Sequence, residues 1–98
     1  MELKWLKDFL TLCSIGNFRL AAQQRCVSQP AFSRRIQALE AWVGASLIDR
    51  GSQPSQLTEA GELFWPVAKK IVDLAARLSA FEVVDIKICR TRLRFLEQ

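Results

Sequence analysis

The chain contains no histidine, only three cysteines among its 98 residues, and no long uninterrupted apolar run. Each shortage removes a class of function. Without histidine the usual general base is missing, and so is the common companion of cysteine in zinc sites. Cys13, Cys26 and Cys89 are odd in number and lack metal-ligand spacing, so structural zinc is not expected and reduced thiols in the cytoplasm are the default. A Gly-rich phosphate loop, a Gly-x-Ser-x-Gly motif and a convincingly placed carboxylate pair are all absent. The expectation is therefore no enzyme, no cofactor and no metal. The apolar runs are far too short to span a bilayer. The N-terminus has no charged n-region, apolar h-region and cleavage site in sequence, so neither a membrane segment nor a secretory signal is expected.

What is present is the composition of one small folded unit. Half of the residues are hydrophobic and 24% are charged, which is globular rather than disordered. The length suffices for a single core but not for a core plus a separate ligand-binding domain. Fourteen Lys and Arg against ten Asp and Glu give a net charge of +4, and the excess is unevenly placed. From Ser14 to Leu39 there are arginines at Arg19, Arg25, Arg34 and Arg35 and no acidic residue. A second basic cluster, Lys87, Arg90, Arg92 and Arg94, lies near the C-terminus. Such clusters are either a solvated basic face or the footprint of a polyanion.

The stretch Val27 to Glu40 is built to be read from two sides. Phe32, Ile36, Leu39 and Val43 recur at helical spacing and form one narrow apolar stripe. Pro30, Arg34 and Gln37 lie opposite it, with Gln29 and Ser33 on one flank and Arg35 on the other. No carboxylate interrupts this outer face before Glu40. Ser28 is placed to cap the helix, Pro30 suits its first turn, and Gly44 suits its end. Cationic and amide donors gathered at the N-terminal end of a helix are what a reader of the DNA major groove needs.

Around this stretch the pattern reads as helices and one hairpin. Glu2 to Cys13 suits an amphipathic helix with Leu6, Phe9, Leu10 and Cys13 on its inner face and Gly16 as left-handed cap. Asn17 caps a short helix from Phe18 to about Gln24, whose Ala21 and Ala22 allow a close crossing. Arg25-Cys26-Val27 is then the turn of a helix-turn-helix, with Val27 plugging the core. Ser46 to Arg50 and Ser55 to Leu57, separated by Gly51-Ser52-Gln53-Pro54, read as a hairpin anchored by Leu47 and Leu57. Arg50 and Gln53 are expected to point outward near its tip. A hairpin in this place is the wing of a winged helix, and wings commonly touch the sugar-phosphate backbone.

Thr58 caps a last, long helix with Glu59 and Glu62 in its first turns. Its apolar residues Phe64, Val67, Ile71, Leu74, Leu78 and Phe81 repeat with a period of about 3.5, the spacing of a coiled-coil seam. Pro66 should bend or locally open the helix. Part of the stripe, Phe64 and Val67 above all, has the alternative of packing on its own domain. From Ile71 onward a second copy of the chain is the economical cover, so a homodimer is expected. Beyond Phe81, Val84, Ile86 and Ile88 alternate with polar residues as in a strand, although a helical tail is equally open.

Several of these residues together carry a family likeness. Asn17-Phe18 with Ala21-Ala22, Val27-Ser28-Gln29-Pro30-Ala31 with Ser33, Ile36, Leu39 and Glu40, then Gly44, Leu47, Arg50, and Leu57-Thr58 with Ala60-Gly61 resemble the N-terminal domain of LysR-type transcriptional regulators. The resemblance implies a mainly α fold: a winged helix-turn-helix with a three-helix core and a two-stranded β wing, followed by a long linker or dimerisation helix. It further implies that Gln29, Pro30, Ser33 and Arg34 meet bases and phosphates, that Arg50 lies at the wing, and that an effector-binding domain follows in full-length relatives. The expected division is residues 1–57 as DNA-binding domain, 58–82 as linker helix, and 83–98 as a tail or the start of that further domain. Arg25 departs from the family's usual leucine, Ile48 from its common phenylalanine, and Gln53 from a frequent wing arginine. A cation at Arg25 is expected to reach solvent or phosphate.

Two functions follow for testing. The first is a dimeric reader of double-stranded DNA that uses Gln29, Pro30, Ser33, Arg34, Arg35, Gln37, Arg50 and Gln53, with Arg34 and Arg35 mostly on phosphates. The second is a dimerisation or interaction module without useful DNA binding, in which the seam from Phe64 to Phe81 carries the function.

Overall fold

The computed structural model describes residues 1–52 and 54–97, with side chains as far as residue 78. Helix α1 (Leu3–Ile15), α2 (Phe18–Gln24) and α3 (Gln29–Val43) are followed by strands β1 (Ile48–Asp49) and β2 (Gln56–Leu57) and by α4 (Glu59–Glu97). The three helices enclose one core, the hairpin closes one side of it, and the start of α4 closes another.

Each boundary has a local cause. Gly16 adopts φ 74°, which lets its N–H reach the Leu12 carbonyl at 2.7 Å and end α1. Its own carbonyl accepts from the Ser55 N–H at 3.0 Å, so this corner also holds the far limb of the hairpin. The Asn17 side chain accepts from the Leu20 N–H at 3.1 Å and starts α2. Ser28 Oγ accepts from the Ala31 N–H at 3.3 Å and starts α3, with Pro30 in the first turn where its missing N–H is not needed. Between α2 and α3, Cys26 takes a left-handed φ of 59°. Its N–H bonds Gln23 and that of Val27 bonds Ala22, each at 3.0 Å, which closes the turn tightly.

Phe32, Ile36 and Leu39 of α3 are fully buried, and Val43 is half-buried at the end of the stripe. Ala21 and Ala22 face them, and the Phe18 ring meets Phe32 edge-on at 6.0 Å. The inner face of α1 differs from expectation. Leu6, Phe9 and Leu12 are fully buried, while Leu10 and Cys13 are only half-buried. Because α1 packs against α2, α3 and α4, its buried arc is wider than a single stripe and rotates toward Leu12. That arc takes in Asp8, which is also fully buried.

In the hairpin Ile48 pairs with Leu57 and Asp49 with Gln56. Leu47 is fully buried and Leu57 half-buried against the core. Thr58 joins hairpin to helix: its N–H donates to the Leu47 carbonyl at 3.0 Å, its hydroxyl donates to the Ser46 carbonyl, and its Oγ1 accepts from the Gly61 N–H at 3.0 Å. Helix and strand approach so closely here that a Cβ on Gly61 would collide with the Leu47 carbonyl oxygen.

Helix α4 runs without interruption through Pro66 to Glu97. The alternation at Val84, Ile86 and Ile88 therefore does not give a strand. A strand there would need a partner edge for its backbone groups, whereas a helix satisfies them internally. The apolar seam splits in two. Phe64 packs at 5.5 Å from Phe9, Ala68 is fully buried, and Ile71 and Val72 lie against the same core. Val67, Leu74 and Leu78 face outward instead, at least half exposed, and Leu63 joins them. The Phe81 side chain lies outside those described.

Candidate nucleic-acid interface

The outer face of α3 begins with the donors of its first turns. Gln29, Pro30, Arg34 and Gln37 are exposed, and Ser33 is half-buried beside them. The first acidic residue on the helix, Glu40, is drawn away from this face. One of its oxygens accepts from the Leu47 N–H at 2.7 Å, from Ser46 Oγ at 3.2 Å and from the Ile48 N–H at 3.4 Å. The other accepts from Arg50 at 3.2 Å. Glu40 is thus a fastener between α3 and β1, and its charge is met by four donors.

Next to the N-terminal end of α3 lies an open groove of about 470 Å³, lined by Asn17, Phe18 and Arg19, by Gln29 and Ser33, and by Arg50 and Ser55. Three elements meet there, and among the described residues the lining contains two arginines and no acid. Arg50 is a groove-wall residue: its guanidinium sits 5.4 Å from the centre of the Phe18 ring while paired with Glu40. Gln53 lies outside the described residues.

Two cations share a partner that sequence reasoning did not assign to them. Arg25 Nε donates to Asp8 Oδ1 at 2.7 Å, and Arg35 donates to Asp8 Oδ2 at 3.4 Å. Arg25 keeps part of its side chain at the surface, but its guanidinium meets a buried carboxylate. Arg35, expected mostly on phosphate, is turned to the same carboxylate on the flank of α3. Both arginine side chains remain about a quarter exposed, at 27% and 26%, while Asp8 is at 0%. A buried anion is tolerable only when paired, and these two guanidiniums supply the pairing. Two signals in the sequence pointed here without being joined. Asp8 stands three residues after Trp5 and four before Leu12, on the apolar arc of α1, and Arg25 replaces an expected leucine. Each is costly alone, and together they are one interaction.

Burial pushes the Cys13 thiol up from 9.0 to about 12. That removes it from nucleophilic chemistry near neutral pH.

The match to known proteins agrees with this geometry. The family model described as "Bacterial regulatory helix-turn-helix protein, lysR family" covers residues 3–62. The chain belongs to the LysR family. Among its LysR relatives, the HTH-type transcriptional regulator YjiE of Escherichia coli is 56% identical over 64 residues, covering 65% of this chain and 21% of that protein. The HTH-type transcriptional regulator TfdT of Cupriavidus pinatubonensis is 40% identical over 79 residues, covering 81% of this chain and 35% of the relative. The chain thus spans about a fifth to a third of the length of these curated relatives. Vibrio fischeri DarR, solved in complex with DNA, superposes with a TM-score of 0.80 at 48% identity, over 87% of this chain and 30% of that one. The CbnR DNA-binding domain, also solved with DNA, gives 0.80 at 37% identity over 88% of this chain and 99% of the other. Among the described residues no helix is long and apolar enough to cross a membrane.

Proposed function

We propose that this LysR-family chain is a sequence-specific DNA-binding module that acts in transcription regulation. It places α3 in the major groove and works as a symmetric pair. The observation that carries the reading is the outer face of α3, where Gln29, Pro30, Arg34 and Gln37 are exposed and the nearest acid, Glu40, is held away by the wing. Gln29 and Ser33 supply amide and hydroxyl groups for base edges, at about 1–3 kcal/mol of discrimination for a good bidentate pair. Arg34 and the cations of the adjoining groove, Arg19 and Arg50, meet phosphates. Similarity to proteins solved with DNA supports the same partner.

Pairing rests on α4. Leu63, Val67, Leu74 and Leu78 form an outward apolar series that the chain's own core leaves uncovered. The binding head is assigned to residues 1–57 and the pairing element to 58–82, with residues 83–98 continuing from it. No reaction is assigned to the chain, and its place of work is the bacterial cytoplasm, where the DNA is. The uncovered series also favours a second reading, an interaction module that pairs with a full-length relative and binds DNA poorly by itself.

Selection from a random duplex pool separates the two. The first reading expects enrichment of an approximate inverted repeat whose half-sites lie about one helical turn apart. Enrichment of no motif at all favours the second.

A further inference from the structure

Asp8, Arg25 and Arg35 come from α1, the turn and α3, so one carboxylate ties the helix-turn-helix to the first helix. It does more than join elements. The segment between Ser14 and Leu39 carries four arginines, and Asp8 engages two of them from beneath. Among the described residues, Asp8 is the buried charged side chain of the core. Asp8 lies among the buried apolar residues Leu6, Phe9 and Leu12 of α1, and without its charge both guanidiniums lose the carboxylate that holds them.

We propose that Asp8 is a specificity-determining positioning residue. It withholds Arg25 and Arg35 from phosphates and fixes the rotation of α3, so that Arg34 and the amide groups of the outer face dominate the contact. The inference rests on the DNA-binding reading above. Its physical basis is that phosphate contacts are indifferent to sequence, and that each added one raises affinity for every duplex alike. Holding two cations on an internal anion therefore lowers affinity for every duplex alike, and discrimination comes from the anchored rotation of α3, which keeps the base-reading groups of its outer face in register. The arginines stay about a quarter exposed, close enough to the surface to be released if the anion is removed.

The test compares the parent with Asp8→Asn on two duplexes, one selected for binding and one of scrambled sequence, across a series of salt concentrations. Asp8→Asn keeps the shape and removes the charge. The expected result is tighter binding to the scrambled duplex, and a slope of log affinity against log salt steeper by about 0.9 for each arginine released. The ratio of selected to scrambled affinity should fall at least several-fold. A second pair of variants keeps the proposal testable if Asp8→Asn fails to fold. Arg34→Gln should lower the salt slope by about one, and Arg35→Gln should leave it unchanged while reducing discrimination. Equal loss of slope in both variants overturns the proposal, as does a folded Asp8→Asn with unaltered slope and ratio. If the parent binds neither duplex, it is the DNA-binding reading that fails, and the two failures are thereby distinguished.

Discussion

At the scale of single residues, two positions make sharp demands. Gly61 has no room for a side chain, because a Cβ would strike the Leu47 carbonyl, which is backbone and cannot swing aside. Gly61→Ala should destabilise the fold by roughly 2–3 kcal/mol, measured as a shift in the urea midpoint; an unchanged midpoint means that helix and wing are not in this close contact. Cys13 is the second. With its thiol raised from 9.0 to about 12, the folded state keeps the proton that the unfolded chain gives up first. Its contribution to stability is therefore complete below 9.0 and is lost as pH climbs from there toward about 12. In native protein near pH 8, alkylation followed by peptide mapping should label the exposed Cys26 well before Cys13. Equal rates contradict the burial of Cys13.

At the scale of elements, the wing is held by α3 as much as by its own pairing. Two-residue strands are too short to stand alone. Glu40 supplies what they lack by accepting from three donors of the β1 limb and from Arg50. Glu40→Ala leaves buried N–H groups unmet and frees Arg50, so we expect a loss of roughly 2–4 kcal/mol. Amide exchange should speed up at Leu47 and Ile48 more than in α3, and uniform exchange would contradict this role. Much of this architecture was legible in the sequence because caps and turns are local: Asn17, Ser28, Gly16, Gly44 and Thr58 act within a few residues of themselves. The outer face of α3 was legible for the same reason, since Pro30, Arg34 and Gln37 oppose the stripe by helical geometry alone. The Asp8 cluster was not. Its members lie 17 and 27 residues apart, and only the fold brings them together. The tail is ambiguous in the sequence because Val84, Ile86 and Ile88 alternate as in a strand, yet alternation makes a strand only where another edge is available. The seam was legible as a stripe, but its division was misplaced. Own-domain packing was expected for Phe64 and Val67 and a partner from Ile71 onward, whereas Val67 faces outward and Ile71 lies against the core, since the period does not say which flank of α4 the core covers.

At the scale of the molecule, α4 with its 39 residues spans about 58 Å at 1.5 Å per residue, nearly the full 62 Å length of the structure. The head covers only its beginning. Two heads joined along such a helix would present their α3 faces at a fixed separation, which turns two modest contacts into one specific one. Leu74→Ser with Leu78→Ser should leave each head folded by circular dichroism, yet shift sedimentation toward monomer and weaken binding to a selected duplex by at least tenfold. Persistence of the dimer would place the pairing surface elsewhere. The central claim is that the exposed N-terminal face of α3 reads DNA. It is tested most directly by measuring the affinity of the parent and of Arg34→Ala for one selected duplex from low to physiological salt. The account predicts parent affinity that falls steeply with salt, and a loss in the variant of about 1–3 kcal/mol, roughly 5- to 150-fold. Equal binding by the two proteins, or parent binding that ignores salt, would contradict it.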